Sequence, residues 1–414
     1  MHWEMNNRKM SGGERALPRS NRHIRVCAVI LSIAAVLGGG TAGLAAEAAP
    51  SWPTYHGDAS LCGVAGTSLP DKLTVLWRFK AGSGVSATPI AGGNMIFFVT
   101  DDGRTFAITP RGEKVWSREI DKDPAAGTNR LEQAGRFATP PLFVNNTVLA
   151  GTDDGWLYAL EAATGKTRWK HKVGDSVKGS VNWMEPDGTR GCRVVAISQA
   201  DGSVHCLDLA SGQKLWASQP ITRSDGSPGV GKDFIALGSC DAALHFLAAT
   251  NGALLGSVAL DSDGQVAGGV AVSGSQVFAG TRNGTIVCAD ALGNSVVWTN
   301  RIAAGEAFAT PAVTADRVLA GSSDGFVYCL DRAGGKNVWR FDAGDNVLSP
   351  VAAGDKVVVS AGGTLYLLKL ADGGKLWSGK AGDLISAPAV ADGRVMVGTD
   401  DGFVIMYGAA APAK

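Results

Sequence analysis

The sequence has no excess of charge of either sign, and it lacks the patterns that mark several common classes of protein. Lys plus Arg and Asp plus Glu are both 38 in 414 residues, so the formal net charge is zero. Nucleic-acid binders usually carry a basic excess or a basic patch, which argues against that class. No Ser-His-Asp set, zinc-ligand spacing or phosphate-binding loop is evident, and the glycine runs lack the helix that a phosphate cradle needs. We therefore assign no catalytic, cofactor-binding or metal-binding residue.

Helical periodicity is also absent, and a short phrase is repeated instead. The phrase ALEAATGKTRW at 159–169 returns with variations at 206–216, 288–298, 329–339 and 367–377. Each copy closes a unit of apolar segments joined by an Asp-Gly turn or a variant of it, and Asp-Gly favours a two-residue hairpin. Each unit is therefore predicted to form four short antiparallel strands.

Eight such hairpin turns follow one another at spacings of 38 to 52 residues, which is the scale of a propeller blade. The last unit lacks its own Trp strand, and an orphan strand around Trp77 precedes the first unit. We predict an all-β, eight-bladed β-propeller of four-stranded antiparallel blades over residues 72–408. The strand around Trp77 would complete the last blade, so that the two chain ends close the ring and leave no open edge.

The tryptophan that ends each phrase is interpreted as the contact that docks one blade on the next, because a tryptophan buries roughly 150–250 Å². In the fourth unit Gly256 stands in its place, so we expect the loosest blade contact there. The residues with this structural role are Trp77, Trp116, Trp169, Trp216, Trp298, Trp339 and Trp377.

Cysteine and histidine follow the repeat. Cys206, Cys288 and Cys329 occupy the phrase position that Ala159 occupies elsewhere. Equivalent positions on different blades are too far apart to bond, so free, buried thiols are predicted, although an even number of cysteines in an exported chain can also indicate disulfides. His205 and His245 share a position with Tyr158 and Tyr328, which predicts repeat side chains and not a metal pair.

The N-terminal region differs in composition from the repeats. Three arginines precede the uncharged stretch 26–46, which ends in small residues. This order is typical of a secretory signal, and a stretch of this length could also span a bilayer. We predict that 1–48 is a signal peptide or an N-terminal membrane anchor, that 49–71 is a lead segment and that 409–414 is a tail.

The phrase resembles the tryptophan-docking motif of the eight-bladed quinoprotein-like (PQQ-like) propellers, whose pattern is Ala-x-Asp-x-x-Thr-Gly-Lys-x-x-Trp. Ala159, Thr164, Gly165, Lys166 and Trp169 match it, with a glutamate where the pattern has aspartate. The lead at 51–63, SWPTYHGDASLCG, is similar to the opening of many exported members. The resemblance covers residues 52 to 408 and implies the propeller fold.

Two functional branches share this resemblance. PQQ-dependent dehydrogenases hold PQQ between a Trp and a disulfide of two adjacent cysteines. They bind Ca²⁺ through Glu, Asn and Asp, and they use an Asp as the catalytic base. This sequence has no adjacent cysteine pair. The BamB-like branch consists of non-catalytic envelope propellers, and the length, the export signal and the bare blades resemble this branch more closely. Its members are lipoproteins, whereas Cys27 lies before the apolar stretch and not at a cleavage point.

Acidic residues and two long connections supply the candidate contact residues. Links between blades are expected on the same face as the Asp-Gly turns, where carboxylates could attract a cation or a basic partner; the alternative is turn chemistry, since Asp bonds its own backbone in turns. The connections 117–138 and 181–194 are longer than their counterparts, and loops on a rigid scaffold often carry recognition, although they could simply pack on their own blades. The candidates are Asp175, Glu306, Asp345 and Asp383 in the links, and Arg136, Phe137, Trp183 and Met184 in the long connections.

Taken together, these features indicate an exported, non-catalytic propeller in the periplasm or envelope of a bacterium. We expect a monomer that binds proteins of the cell envelope and binds no nucleic acid. Components of outer-membrane protein assembly are candidate partners. A PQQ-dependent oxidoreductase or a quinone-binding relative is the alternative, with PQQ and Ca²⁺ as its cofactors. A carbohydrate- or metal-binding module is the second alternative.

Overall fold

The computed structural model describes residues 51–119, 139–185 and 191–410, and all regular structure in these ranges is β-strand. Eight separate antiparallel sheets each hold four strands in the pattern of propeller blades, and one of them gains a short fifth strand. The prediction of an eight-bladed, all-β propeller is therefore confirmed. None of the described residues forms a helix long and apolar enough to cross a membrane.

Two strands precede the regular blades and are used elsewhere in the ring: β1 (Val64–Ala65) and β2 (Thr74–Lys80). Blades 1 and 2 follow, written from the inner to the outer strand: β3 (Ile90–Gly92), β4 (Met95–Val99), β5 (Arg104–Ile108) and β6 (Lys114–Glu119), then β7 (Leu142–Val144), β8 (Thr147–Gly151), β9 (Trp156–Glu161) and β10 (Thr167–Lys172). Blades 3 and 4 contain β11 (Asn182–Met184), β12 (Arg193–Ile197), β13 (Val204–Asp208) and β14 (Lys214–Ala217), then β15 (Gly229–Val230), β16 (Phe234–Ser239), β17 (Ala243–Ala248) and β18 (Leu254–Ala259).

The second half of the ring continues in the same order. Blades 5 and 6 contain β19 (Ala271–Ser273), β20 (Gln276–Gly280), β21 (Thr285–Asp290) and β22 (Ser295–Arg301), then β23 (Ala312–Val313), β24 (Arg317–Gly321), β25 (Phe326–Asp331) and β26 (Asn337–Asp342). Blade 7 contains β27 (Val351–Ala353), β28 (Lys356–Ala361), β29 (Thr364–Lys369) and β30 (Lys375–Lys380), and blade 8 contains β31 (Ala389–Ala391), β32 (Arg394–Gly398) and β33 (Phe403–Gly408) with β2 as its outer strand.

The core lies between blades. Strands in the middle of the sheets are mostly buried, and β8 is buried along its whole length, whereas outer strands such as β10 are mostly half-buried or exposed. Strands covered on both faces are expected to read as continuous apolar runs, and strands with one wet face as alternating ones. The buried clusters accordingly join side chains of neighbouring blades, for example Leu149 of blade 2 with Val194 of blade 3.

The ring closes where the sequence predicted. β2 pairs antiparallel with β33, and Trp77 lies opposite Met406. The strand before the first blade thus becomes the outer strand of the last. Trp77 then donates a hydrogen bond from Nε1 to the carbonyl oxygen of Pro110 in blade 1, at 3.0 Å.

Four other tryptophans make the same contact with the blade that follows. Trp116 donates from Nε1 to the carbonyl oxygen of Ala162 at 2.8 Å, and its ring covers Gly165. Gly165 has φ +71°, and a Cβ there would lie 2.7 Å from the ring, so glycine is required both by the backbone and by the close approach. Equivalent hydrogen bonds join Trp169 to Leu209, Trp298 to Arg332 and Trp339 to Leu370.

Two tryptophans depart from this pattern. The ring of Trp216 lies over Gly252, but its Nε1 is buried without a hydrogen-bond partner. Trp377 points toward blade 8, which has no phrase of its own, and its ring meets Tyr407 edge-on with centroids 5.7 Å apart. Aromatic packing therefore replaces the glycine contact at the last junction.

The lead segment lines the inside of the ring, a path that the sequence analysis did not anticipate. Between Trp52 and Ala65 the chain contacts the inner strands of blades 1 to 7 in order, and the contact usually falls on the second residue of the inner strand. The partners are Trp52 with Ala91, Pro53 with Phe143, Thr54 with Val181, Ala59 with Val230, Ser60 with Val272, Cys62 with Val313, and Gly63 and Val64 with Ala352. Backbone groups that face the central channel are thereby hydrogen-bonded.

Candidate functional site

The links between blades and the hairpin turns lie together on one face of the propeller, which we call the upper face. The link after blade 2 shows this arrangement, because Val173 N and Val177 N donate to the carbonyl oxygens of Gly155 and Thr152 in the turn of that blade. The next turn is joined as well, since Gln199 N donates to Ser176 O. Among the described residues, the links after blades 3 to 8 are held between two turns in the same way.

A cavity of about 360 Å³ opens at the mouth of the central channel. Its lining carries hydroxyl and amide groups, among them Ser86, Thr88 and Asn346, and no charged side chain. Tyr55 of the lead segment also lines it, and its hydroxyl hydrogen-bonds with Thr310 Oγ1 at 3.1 Å and Ser349 Oγ at 2.5 Å. Burial raises the pKa of Tyr55, so this side chain is a neutral phenol at physiological pH.

A second pocket of about 400 Å³ lies beside the mouth, where blades 7, 8 and 1 meet. Three carboxylates line it, those of Asp101, Asp345 and Asp400, together with apolar side chains that include Leu348 and Leu384. No lysine or arginine lines it. We call it the acidic pocket.

The three carboxylates are oriented by uncharged neighbours. Asp101 accepts a hydrogen bond from Ser86 Oγ at 2.5 Å, and Asp400 accepts one from Leu384 N at 3.1 Å. Asp345 accepts from Asn346 N at 2.7 Å. Within the described ranges none of the three makes an ion pair, so the pocket keeps its negative charge and attracts cationic groups.

Gly362 makes room for Asp345. The turn of blade 7 reads Gly362-Gly363 where most blades have Asp-Gly, and a Cβ on Gly362 would lie 2.2 Å from Asp345 Oδ2. The carboxylate from the link therefore occupies space beside the turn that any side chain at position 362 would need.

The other candidate acidic residues lie on the upper face but outside the two pockets. Asp175 accepts a hydrogen bond from Ala200 N at 3.2 Å, Glu306 lies 3.7 Å from an Arg282 nitrogen, and Asp383 lies 3.7 Å from Lys380 Nζ. The turn aspartates bond within their own turns, as Asp102 does with Thr100 Oγ1 at 2.6 Å. Sequence reasoning missed Asp101 and Asp400, each of which directly precedes a turn aspartate in the string Thr-Asp-Asp-Gly.

The structure describes two of the four candidate residues in the long connections, Trp183 and Met184. Trp183 is half-buried on β11 and packs against the cluster between blades 2 and 3. Met184 requires a correction, because its side chain is buried in the core between blades 3 and 4 and cannot contact a partner. Neighbouring residues of a strand face opposite sides, and here both sides are covered by blades. Arg136 and Phe137 lie outside the described residues, as do most of 117–138, residues 1–50 and the end of the tail.

The histidines and cysteines have structural surroundings. His245 is buried between Ser239 Oγ and Ser257 Oγ, each at 2.8 Å from a ring nitrogen. His171 of blade 2 meets His205 of blade 3 with ring centroids 5.9 Å apart. All six cysteines of the described ranges are free, and burial raises the pKa of four of them to about 12: Cys192, Cys206, Cys288 and Cys329.

The residues at the mouth do not fit PQQ or its calcium ion. PQQ is a quinone with three carboxylates, and anions are held by basic side chains, but neither pocket is lined by one. The carboxylates of Asp101, Asp345 and Asp400 would repel it. Within the described ranges, no three His, Cys, Asp or Glu residues lie close enough together to hold a metal ion.

Comparisons with known proteins agree with this geometry. The model of the family described as outer membrane protein assembly factor BamB matches residues 72–254, 241–345 and 323–411. The chain belongs to this BamB family. The matched residues begin at the closing strand and run through the last blade, so they include all eight blades and, apart from Tyr55, the lining of both pockets.

Individual relatives support the family and show how widely the fold is shared. BamB of Shewanella oneidensis is 27% identical over 181 residues, which is 43% of this chain and 42% of that protein. The lanthanide-dependent methanol dehydrogenase of Methylorubrum extorquens is 28% identical over 163 residues, or 37% of this chain and 27% of the enzyme. The alignments thus span less than half of these relatives. The crystal structure of BamB from Moraxella catarrhalis superimposes with a TM-score of 0.65 at 18% identity, covering 83% of this chain and 99% of that one, which shows the shared fold.

Proposed function

We propose that this chain is an exported, non-catalytic scaffold that binds proteins in the bacterial cell envelope, and that assembly of outer-membrane proteins is the process it serves. The observation that carries the proposal is the family match, which spans the entire propeller. Several relatives of this chain carry the name outer membrane protein assembly factor BamB. The basic and apolar N-terminal segments typical of a secretory signal support export.

The upper face supplies a binding surface that suits this role. The acidic pocket combines three unpaired carboxylates with Leu348 and Leu384, and Leu384 is 59% exposed. A lysine or arginine side chain matches such a pocket, because its apolar stem can pack on leucine while its charged end meets the carboxylates. The partner is therefore proposed to insert a basic side chain beside the channel mouth.

Deletion of the gene in its host, followed by quantification of β-barrel proteins in the outer membrane, tests the proposal. We expect their abundance to fall, and we expect the wild-type gene to restore it. A gene carrying Asp101→Lys and Asp400→Lys should restore less, since both substitutions reverse charge in the acidic pocket, whereas Asp175→Lys outside the pocket should behave as the wild type. Unchanged barrel abundance after deletion would contradict the assembly role.

A further inference from the structure

The cavity of about 360 Å³ at the mouth of the central channel has no part in the proposed function. Small-molecule sites are usually preformed clefts of roughly 300–1,000 Å³, so this cavity has room for one small ligand. Its lining comes from the lead segment and from blades 1, 2, 6, 7 and 8. Because these segments belong to one closed ring, the cavity exists before any ligand enters.

Thr88, just before β3 at the upper end of blade 1, has a buried hydroxyl that is not hydrogen-bonded. The residue lines the cavity and is only 3% exposed. Within the described ranges its Oγ1 makes no hydrogen bond. The corresponding hydroxyls of blades 6 and 7, on Thr310 and Ser349, are bonded to the phenol of Tyr55. Buried polar groups normally have a hydrogen-bond partner, so the hydroxyl of Thr88 is available to a group inside the cavity.

The rest of the lining combines a free amide with apolar side chains. The side-chain amide of Asn346 makes no hydrogen bond in the described part of the chain, and an amide can both donate and accept. Phe308 of blade 6 is half-buried, and Val347 and Leu348 of blade 7 also line the cavity. A sugar ring has a rim of hydroxyls and apolar C–H faces, and an aromatic ring offers a flat apolar surface to such a face. The lining therefore matches a sugar better than a wholly apolar ligand.

The neighbouring acidic pocket restricts the charge of the ligand. The two pockets share Ser86, Asn346 and Leu348 in their linings. A ligand in the cavity is thus close to the unpaired carboxylates of the acidic pocket, which repel an anion. Sugars that carry a carboxylate or a phosphate are disfavoured for this reason, whereas neutral sugars are not.

We propose that the cavity at the channel mouth binds one neutral sugar ring. Thr88 and Asn346 hydrogen-bond with its hydroxyls, and Phe308 packs against one of its apolar faces. The ring can belong to a free monosaccharide or to the end of a glycan chain, since both present the same groups. The proposal does not rest on the proposed function, because no partner protein contributes to the cavity.

The test titrates the mature chain with glucose, galactose and mannose at millimolar concentrations and follows binding by saturation-transfer NMR. We expect saturable binding of at least one of them. Thr88→Val removes the hydroxyl but keeps the shape of the side chain, and it should weaken binding about fivefold to tenfold. Thr105→Val is the matched control, because Thr105 of blade 1 is also buried with an unpartnered hydroxyl but lines neither pocket. It should leave binding unchanged.

Further variants and ligands examine the parts of the site separately. Phe308→Ala should weaken binding because it removes the aromatic surface, while Thr88→Ser keeps a hydroxyl and should bind nearly as well as the wild type. The uronic acid of the sugar that binds should bind at least about tenfold more weakly. Equal binding of its methyl glycoside would assign the site to the end of a glycan chain, and loss of binding would assign it to a free monosaccharide.

The proposal would be overturned by the absence of saturable binding for all three sugars. Equal binding by the wild type and Thr88→Val, an equal loss in Thr105→Val, or a uronic acid that binds as tightly as the neutral sugar would overturn it as well. Because the assay contains no partner protein and no cells, its failure leaves the assembly role standing.

Discussion

Asn294 of blade 5 lies against Gly256 of blade 4, at the one junction where the docking tryptophan of the repeat is missing. Asn294 occupies the phrase position at which other blades have the left-handed glycine, and it keeps that conformation with φ +49°. A Cβ on Gly256 would lie 1.7 Å from Asn294 Oδ1. The tryptophan and the glycine that receives it have thus been replaced together, and the asparagine side chain fills space between the blades.

Restoring both residues should therefore stabilise the ring, while restoring one should not. Gly256→Trp alone is expected to destabilise, since the new side chain collides with Asn294. Gly256→Trp combined with Asn294→Gly recreates the tryptophan-glycine contact and should raise the free energy of unfolding by about 1–3 kcal/mol. Urea unfolding of the wild type, the two single variants and the double variant measures this coupling. If Gly256→Trp changed the free energy of unfolding equally with and without Asn294→Gly, the two sites would be independent.

Substitution of a docking glycine should cost more than substitution of a free one. Gly165→Ala introduces a Cβ 2.7 Å from the Trp116 ring, whereas Gly103→Ala places one in open space at a similarly positive φ of +88°. Both variants suffer the backbone penalty of about 1 kcal/mol, but only Gly165→Ala also displaces the tryptophan. We expect a clearly lower melting temperature for Gly165→Ala, measured by circular dichroism; similar melting temperatures would contradict the docking role.

The pair His171–His205 should make the junction between blades 2 and 3 sensitive to acid. The pair is the counterpart of Phe341–Tyr366, which joins blades 6 and 7 with centroids 5.5 Å apart. Burial lowers the pKa of both histidines below the ordinary 6.5, and the charge of Lys214 adds to this effect. The pKa of His205 is lowered to about 4, with a further contribution from His171 and an opposing one from Asp201.

Because these pKa values are lower in the folded state than in the unfolded chain, the contribution of the two neutral histidines to the free energy of unfolding is complete above pH 6.5. It is lost as the pH falls toward 4. The double variant His171→Phe, His205→Tyr copies the junction of blades 6 and 7 and should lack this pH dependence. Over this pH range the urea concentration at which it unfolds should change only through the titration of other groups. An identical pH slope in the wild type and the variant would remove the histidine pair from the explanation.

The mouth of the channel should not bind PQQ. Calorimetric titration of the mature chain with PQQ and Ca²⁺ should show no saturable heat, because the acidic pocket and the channel cavity have no basic lining. A dye-linked alcohol oxidation assay on the same sample should show no turnover. Micromolar binding together with turnover would instead support the oxidoreductase alternative.

Much of the architecture could be predicted because each repeat determines the turns and strands of one blade locally. The Asp-Gly turns, the recurring tryptophan and the orphan strand around Trp77 predicted eight blades and the closure by β2 against β33. The joint replacement at Gly256 and Asn294 was also visible in the sequence, but its meaning depends on knowing that each tryptophan contacts the glycine of the following phrase.

The site could be predicted only in part, because its residues come together through long-range contacts. Residues 52–65 contact positions up to 294 residues away along the chain, as in the hydrogen bond between Tyr55 and Ser349, and no local sequence pattern predicts this path along seven inner strands. Asp345 was a candidate, whereas Asp101 and Asp400 were hidden beside turn aspartates that bond their own backbone. Met184 was misjudged because the covering of both faces of β11 by neighbouring blades does not follow from the strand itself.

Affinity capture from an envelope extract of the host tests whether the acidic pocket binds proteins of the cell envelope. The immobilised mature chain is compared with the variant that carries Asp101→Lys and Asp400→Lys and with the Asp175→Lys control, and bound proteins are quantified by mass spectrometry. We expect components of outer-membrane protein assembly to be enriched on the wild type and on the control, and to be lost from the acidic-pocket variant. Absence of these components from the wild-type column, or their equal recovery on all three, would contradict it.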